Sequence, residues 1–304
     1  MALISAAMAN LYDARIRKVF NDYLLSWPEE YSQWCDVQTS TRQYEKNALF
    51  GELPMPGVLG EYENAPEAVF KSGPVRTWTH VKYGFKIIAS EECIEDDLFS
   101  VVVSTAQKAA TAMRHRMEVQ GAYDLNSAFT VSTVGPSDTA SETLIATSHA
   151  TFTGAGGASQ ANRPSTDVTL GPDSLWAAID NFGGLKDHEG NPIMAIPRTL
   201  IAPVGLKRTA IEILKSTDMP YKSTFELNAL RMQGIDFTIG HYLTGAAAWF
   251  VTTDQKAIRF YIRRAPVVKP DVNITNDSRS WTITARLSHA PYDWYQIYGT
   301  DGVA

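Results

Sequence analysis

Five carboxylates, Glu91, Glu92, Glu95, Asp96 and Asp97, fall within seven residues directly after the strand-like run FKIIAS. Carboxylates at that density could hold a divalent cation or share a proton in acid–base work. On a helix, Glu91 shares a face with Glu95, and Glu92 with Asp96. A di-metal carboxylate helix wants Glu-x-x-His, and no histidine follows at that spacing. Ser90 offers an N-cap oxygen instead, and carboxylates in a first turn are favoured by the positive end of the helix dipole. The spacing predicts a helix start, not a metal or catalytic site.

Other chemistry-bearing stretches fare no better. The glycine-rich TGAGGASQ has no Gly-Lys-Ser/Thr after it and no apolar strand before it, as a phosphate cradle requires. Ser137, in GPSDTA, does not sit in a Gly-x-Ser-x-Gly elbow. The six histidines, His80, His115, His149, His188, His241 and His289, show no zinc-binding spacing. His188 and Glu189 lie in a polar turn, KDHEGNP, and keep a hydrolase open as an alternative class. NIT and NDS match glycosylation acceptors by chance frequency, which matters only in a secreted chain. Cys35 and Cys93 form neither a metal spacing nor a disulfide framework, and are expected to be buried free thiols. No enzyme class, cofactor or metal emerges.

Composition narrows the classes further. The chain has 304 residues, 44% hydrophobic and 20% charged, which is globular. A formal net charge of -6 argues against a dedicated nucleic-acid binder, whose footprint is basic. No apolar run reaches the length of a membrane span. The opening MALISAAMANLYDARIRK reads as an amphipathic helix, because it lacks the basic start of a signal peptide.

The elements that would position these residues are legible from periodicity. Leu11, Ile16, Val19, Phe20 and Leu24 mark a helix over 6–25 that ends before Pro28. Residues 29–60 show little periodicity, and so long a connection is expected to find its partners outside its own domain. From Val75 to Ile87 the alternation is strict and overlong for one strand. EAVFK and the turn SGP before it predict a hairpin with one cationic face. Leu98, Val102, Ala106, Ala109, Met113 and Met117 stripe a long helix to Gln120, with Lys108, Arg114 and Arg116 on its other faces. Residues 128–168 carry loop chemistry. LGPDSLWAAIDNF then reads as a helix, PIMAIPRTLIAP as a buried strand and VGLKRTAIEILKS as a helix. AIRFYIRRAP and SWTITARLS alternate as strands, joined by a turn-rich link, KPDVNITNDSR. The class is α+β. An arm, an overlong hairpin and a long spine helix together imply packing between molecules.

In order along the chain, MALISAAMANLY, TSTRQYEKNALFGELP, VKYGFKIIA, EECIEDDLF, LGPDSLWAAIDNF, GNPIMAIPRTLIAPVGLKRTAIEIL, NALRMQGIDFTIGHYLTGAAAWFVTTD, IRFYIRRAPVV and SHAPYDWYQIYGTDG are similar to segments of one family. The chain resembles the major capsid proteins of tailed bacteriophages with the Hong Kong 97-type fold, and among them the Mu-like major head subunits. That resemblance implies an N-terminal arm (1–54), an E-loop (55–89), a P-domain with the spine helix (90–150), an axial A-domain (151–252) and closing P-domain strands (253–304). It implies pentamers and hexamers closing an icosahedral shell around double-stranded DNA, in a virion assembled in the bacterial cytoplasm. The same fold in an encapsulin-like cellular compartment is the alternative. Lys71, Arg76, Trp78, His80 and Lys82 of the E-loop are expected to touch a neighbour, as are the five carboxylates at the joint, with Arg76 or Lys82 of another copy among their partners. Implied partners are a separate scaffolding protein (unless the numbering starts after processing), a portal and a decoration protein, with no membrane. Some relatives join an E-loop lysine to a P-domain asparagine. Lys71 or Lys82 with Asn273 or Asn276 would be that pair here.

Overall fold

Residues 2–50, 53–69, 72–96, 101–130, 142–149, 159–220 and 227–302 are described by the computed structural model. The first helix, α1 (Ala2–Ser26), buries Ile16 and Phe20 and half-buries Val19 and Leu24. After Pro28 the chain makes one helical turn, α2 (Tyr31–Trp34), and then β1 (Cys35–Thr39). Tyr31, Trp34 and Cys35 are buried, and β1 pairs in parallel with β8 (Ile258–Asn273). This part of the predicted arm is therefore built into the body of its own chain. Elements of four and five residues are too short to display a period, which is why 29–60 read as structureless.

The overlong alternating run is two strands. β2 (Tyr44–Phe50) pairs antiparallel with β3 (Ser72–Thr79), whereas β4 (Val81–Ser90) runs antiparallel to β9 (Ser278–Pro291). The predicted hairpin partner EAVFK is thus corrected to 44–50. The break falls at His80, where the chain leaves one ladder for another without losing its period of two. Alternation reports a half-exposed strand but not which partner it has.

Ser90 starts α3 (Glu91–Glu95), and α4 (Val101–Asn126) follows. Val102, Ala106, Ala109, Met113 and Met117 are all buried, as the stripe predicts, and Leu98 lies outside the described residues. The helix runs past Gly121, where a stop was expected. A methyl group there would overlap Tyr31, so the missing Cβ lets α2 lie against α4.

The first sheet has the order β1-β8-β9-β4. Its inner face carries Trp281, Ile283 and Val268, which meet Ile16 and Phe20 of α1 and Val102 and Ala106 of α4. The expected link 269–279 is mostly strand, since β8 continues to Asn273 and leaves only a tight turn. Its residues Asp271, Val272 and Asn273 are exposed, so no apolar alternation announces them.

The second sheet is built from β5 (Pro197–Pro203), β6 (Asp236–Gly240), β7 (Trp249–Thr253) and β10 (Ile297–Thr300), in the order β10-β7-β5-β6. α5 (Pro172–Gly184), opened by Pro172 and by a Ser174 hydroxyl that accepts from the Gly171 amide, buries Leu175, Ala178 and Phe182. α6 (Lys207–Lys215) packs on β5 and β6 through Ala210, Ile213 and Leu214. The segment 253–304 is divided between the sheets: β8 and β9 lie in the first, and β10 returns to the second beside β7.

Candidate assembly surfaces

At the acidic joint, the Ser90 hydroxyl accepts from the Cys93 amide at 3.3 Å, so the cap read from the sequence is present. Glu91 is half-buried and paired within its own chain, its Oε2 lying 2.9 Å from Arg279 Nε. Glu92, Glu95 and Asp96 are exposed on one short turn. Asp97 and Lys71 lie outside the described residues. Among the described residues no group of three or more His, Cys, Asp or Glu side chains could hold a metal. Cys93 is exposed, against expectation, because it lies on the open side of that turn, while Cys35 is buried.

The predicted loop residues do not form one row. Arg76 and Trp78 are half-buried on β3, and Lys82 is exposed on β4. Burial, aided by the positive charge of Arg76 and opposed by Glu142 and Asn162, lowers the pKa of His149. His80 is buried where the two ladders part, with Nδ1 2.9 Å from Ser288 Oγ and Nε2 3.2 Å from Ser40 Oγ. Ser40 in turn donates to Glu45 of β2. Burial, joined by the charges of Arg286 and Arg263 and opposed by Glu45, holds His80 below its ordinary pKa. Its ring therefore ties β2, β9 and the β3–β4 crossing together inside the chain. Beyond β2 and β3, every residue of 53–69 is exposed, with Val58 at 100% and Tyr62 at 99%.

Two polar knots hold the frame that carries these surfaces. In the first, Arg114 and Glu118 of α4 are 3% and 2% exposed, although α4 was expected to show Arg114 to solvent. Arg114 donates to the Leu24 carbonyl at 2.7 Å and to Glu29 Oε1 at 2.8 Å. Glu118 accepts from the Glu30 and Tyr31 amides at 3.2 and 3.0 Å. Burial raises the pKa of Glu118, and those two amide bonds oppose the rise. In the second knot, fully buried Asn162 donates to the carbonyls of Leu144, Trp294 and Ile297. It accepts from the Ala146 amide and lies 2.9 Å from His149 Nε2. His149 stacks on Trp294 with ring centroids 4.1 Å apart. Sequence reading missed both knots. Arg114 and Glu118 at i, i+4 were the signal for the first, and an Asn between loop residues gave none for the second.

The sequence profile of a family described as phage capsid protein matches residues 75–299. This chain belongs to that family. The capsid protein is similar in structure to the capsid of cyanophage P-SCSP1u, with TM-score 0.58, 9% identity and coverage of 90% of this chain and 89% of that one. Microbacterium phage Oxtober96 gives TM-score 0.55, 11% identity and coverage of 90% and 91%. A virus-like particle from Pyrococcus furiosus gives 0.54, 10%, 95% and 99%. No curated protein matches the chain. Identities this low show the fold alone, which is the Hong Kong 97-type capsid fold, α+β in class. With the family match, the work of this capsid protein is structural: copies of it form the icosahedral shell of a virion.

Proposed function

We propose that this protein is the major head subunit of a tailed phage, of the Mu-like kind, and that its copies form pentamers and hexamers around double-stranded DNA. The family match over 75–299 carries this reading, and the ordered Mu-like segments in the sequence support the finer assignment. The exposed segment 53–69 and the exposed carboxylates Glu92, Glu95 and Asp96 are what a neighbouring subunit would cover. The second sheet with α5 and α6 would meet at the capsomer axis. Assembly would take place in the host cytoplasm with a separate scaffolding protein and a portal, and a decoration protein would add to the finished shell. A wall of net charge -6 encloses DNA without gripping it.

A covalent Lys82–Asn273 or Lys82–Asn276 link belongs to the same reading. Lys82 stands opposite Arg286, whereas Asn273 stands opposite Ser278 at the far end of β9. Such a bond would join different copies. Electron microscopy of the purified protein tests the function: closed shells are expected, and small oligomers alone overturn it. Subunits that run as monomers on a denaturing gel would remove the link.

A further inference from the structure

We propose that His80 is a proton-operated clamp on the root of the β2–β3 ribbon: the neutral ring fixes the ribbon's direction against the first sheet, and the imidazolium lets it swing. The clamp belongs to the single subunit and acts without any second copy.

Both chain crossings into the ribbon meet at this ring. On the outgoing side β1 ends its pairing at Thr39, opposite Ile262, and Ser40 follows before β2 begins at Tyr44. On the returning side Thr79 makes the last ribbon pair, with Tyr44, and Val81 makes the first β4–β9 pair, with Leu287. His80 is the one residue between those two ladders. Its Nε2 reaches Ser40 at 3.2 Å and its Nδ1 reaches Ser288 of β9 at 2.9 Å. One ring thus joins the outgoing root, the returning root and the first sheet. A two-stranded ribbon is marginal by itself, so the direction in which it carries 53–69 depends on this root.

Counting protons gives the state of the ring. Ser40 donates its hydroxyl hydrogen to the Glu45 carboxylate, which can only accept, and its oxygen accepts from the Arg42 amide at 3.1 Å. It therefore shows His80 a lone pair, and Nε2 carries the ring hydrogen. Nδ1 is then bare and accepts from the Ser288 hydroxyl. The neutral ring is satisfied on both sides. A second proton, on Nδ1, would confront the Ser288 hydrogen and place a charge on a fully buried side chain.

The surrounding charges do not rescue that state. Glu45 of β2 attracts an imidazolium from 3.9 Å, but Arg42 shares the same carboxylate at 3.8 Å. Arg286 of β9 and Arg263 of β8 repel it. Burial is the largest influence and, with those two charges, holds the folded pKa below 6.5. The clamp is therefore complete above pH 6.5 and is lost as pH falls through the lowered value. Its loss leaves the first sheet intact, because no β4–β9 or β8–β9 pair passes through His80. Two contacts on the outgoing root also remain: the Ser40 amide on the Ile262 carbonyl, at 3.2 Å, and Arg263 Nε on the Arg42 carbonyl, at 2.8 Å. They leave 40–42 as the pivot.

The test uses the unassembled full-length subunit with Cys93→Ser, which removes the exposed thiol, and spin labels at Thr77→Cys of β3 and Ile274→Cys of the β8–β9 turn. The distribution of label distances is expected to be narrow at pH 7.5, to at least double in width at pH 5, and to narrow again on return. His80→Asn, which keeps a donor and an acceptor but takes up no proton, is expected to stay narrow at both. Independently of any variant at position 80, nitrogen NMR of the ring is expected to show hydrogen on Nε2 alone at pH 7.5. An unchanged width between the two pH values, equal widening in His80→Asn, or a doubly protonated ring at pH 7.5 overturns the inference. Widening accompanied by loss of the far-ultraviolet circular dichroism signal overturns it too, since acid would then be unfolding the chain and not releasing a ribbon.

Discussion

Glu118 of α4 accepts the backbone amide of Tyr31 at 3.0 Å across 87 residues of chain, and so caps a helix of a single turn from outside it. Four residues cannot hold a helix by themselves, since nucleation costs more than one turn returns. The carboxylate, the Arg114 guanidinium four residues earlier and the bare Cα of Gly121 form a seat for the N-terminal segment. Two predictions concern this seat, a third concerns the His80 crossing and a fourth the second knot.

Filling the seat should loosen it. Gly121→Ala places a methyl group inside the Tyr31 side chain. Overpacking of this kind costs about 1–3 kcal/mol. Urea unfolding of the subunit should show that loss, while Gly183→Ala, at a site with nothing within 4 Å, should show none of that size.

Against the ionised wild type, Glu118→Gln leaves one of two buried amides without its acceptor, a cost of about 1–3 kcal/mol, and removes a buried charge in exchange. The pH dependence has a definite sign. Burial raises the folded pKa above its ordinary 4.5, so this contribution is fully present below pH 4.5 and is lost as pH rises through the raised value. The wild type should lose stability relative to the Gln variant over that window. Parallel denaturation series from pH 4 to 7 measure it.

His80 should act in the opposite sense. Its folded pKa is held below 6.5, so its contribution is present above pH 6.5 and is lost as pH falls through the lowered value. Acid should therefore open the β3–β4 crossing first. Amide-exchange protection of β2 and β3 should fall more between pH 7.5 and 5 in the wild type than in His80→Asn.

Asn162→Asp should be worse than Asn162→Ala. A carboxylate offers no donor to the three carbonyls of Leu144, Trp294 and Ile297, and it would be buried charged against them. Both variants should lose about 3 kcal/mol or more, read as a fall in soluble yield and in melting temperature.

How much of this was legible can be judged from particular residues. The stripe from Val102 to Met117, the Ser90 cap and the inward Trp281, Ile283, Ala285 and Leu287 all follow from period and type, because a helix or strand face repeats locally. Pairing does not repeat locally. Nothing in Val75–Ile87 marks the change of partner at His80, since both halves alternate. Nothing in Tyr31–Thr39 announces a parallel strand against β8, more than two hundred residues away. Arg114 looked solvent-facing because charge is the usual mark of exposure; its burial depends on the Leu24 carbonyl brought by α1 and on the Glu29 carboxylate after it.

The crossing at His80 also has a mechanical meaning. β3 continues directly into β4, so tension applied to segment 53–69 would pass into the ten-pair β4–β9 register from Val81 to Ser90. Its hydrogen bonds run across the strands, and a pull along β4 strains them side by side instead of one after another. Such a joint resists shear as a whole. In a shell stretched by the pressure of its contents, the loop would serve as a tether whose anchorage yields only when the sheet itself fails.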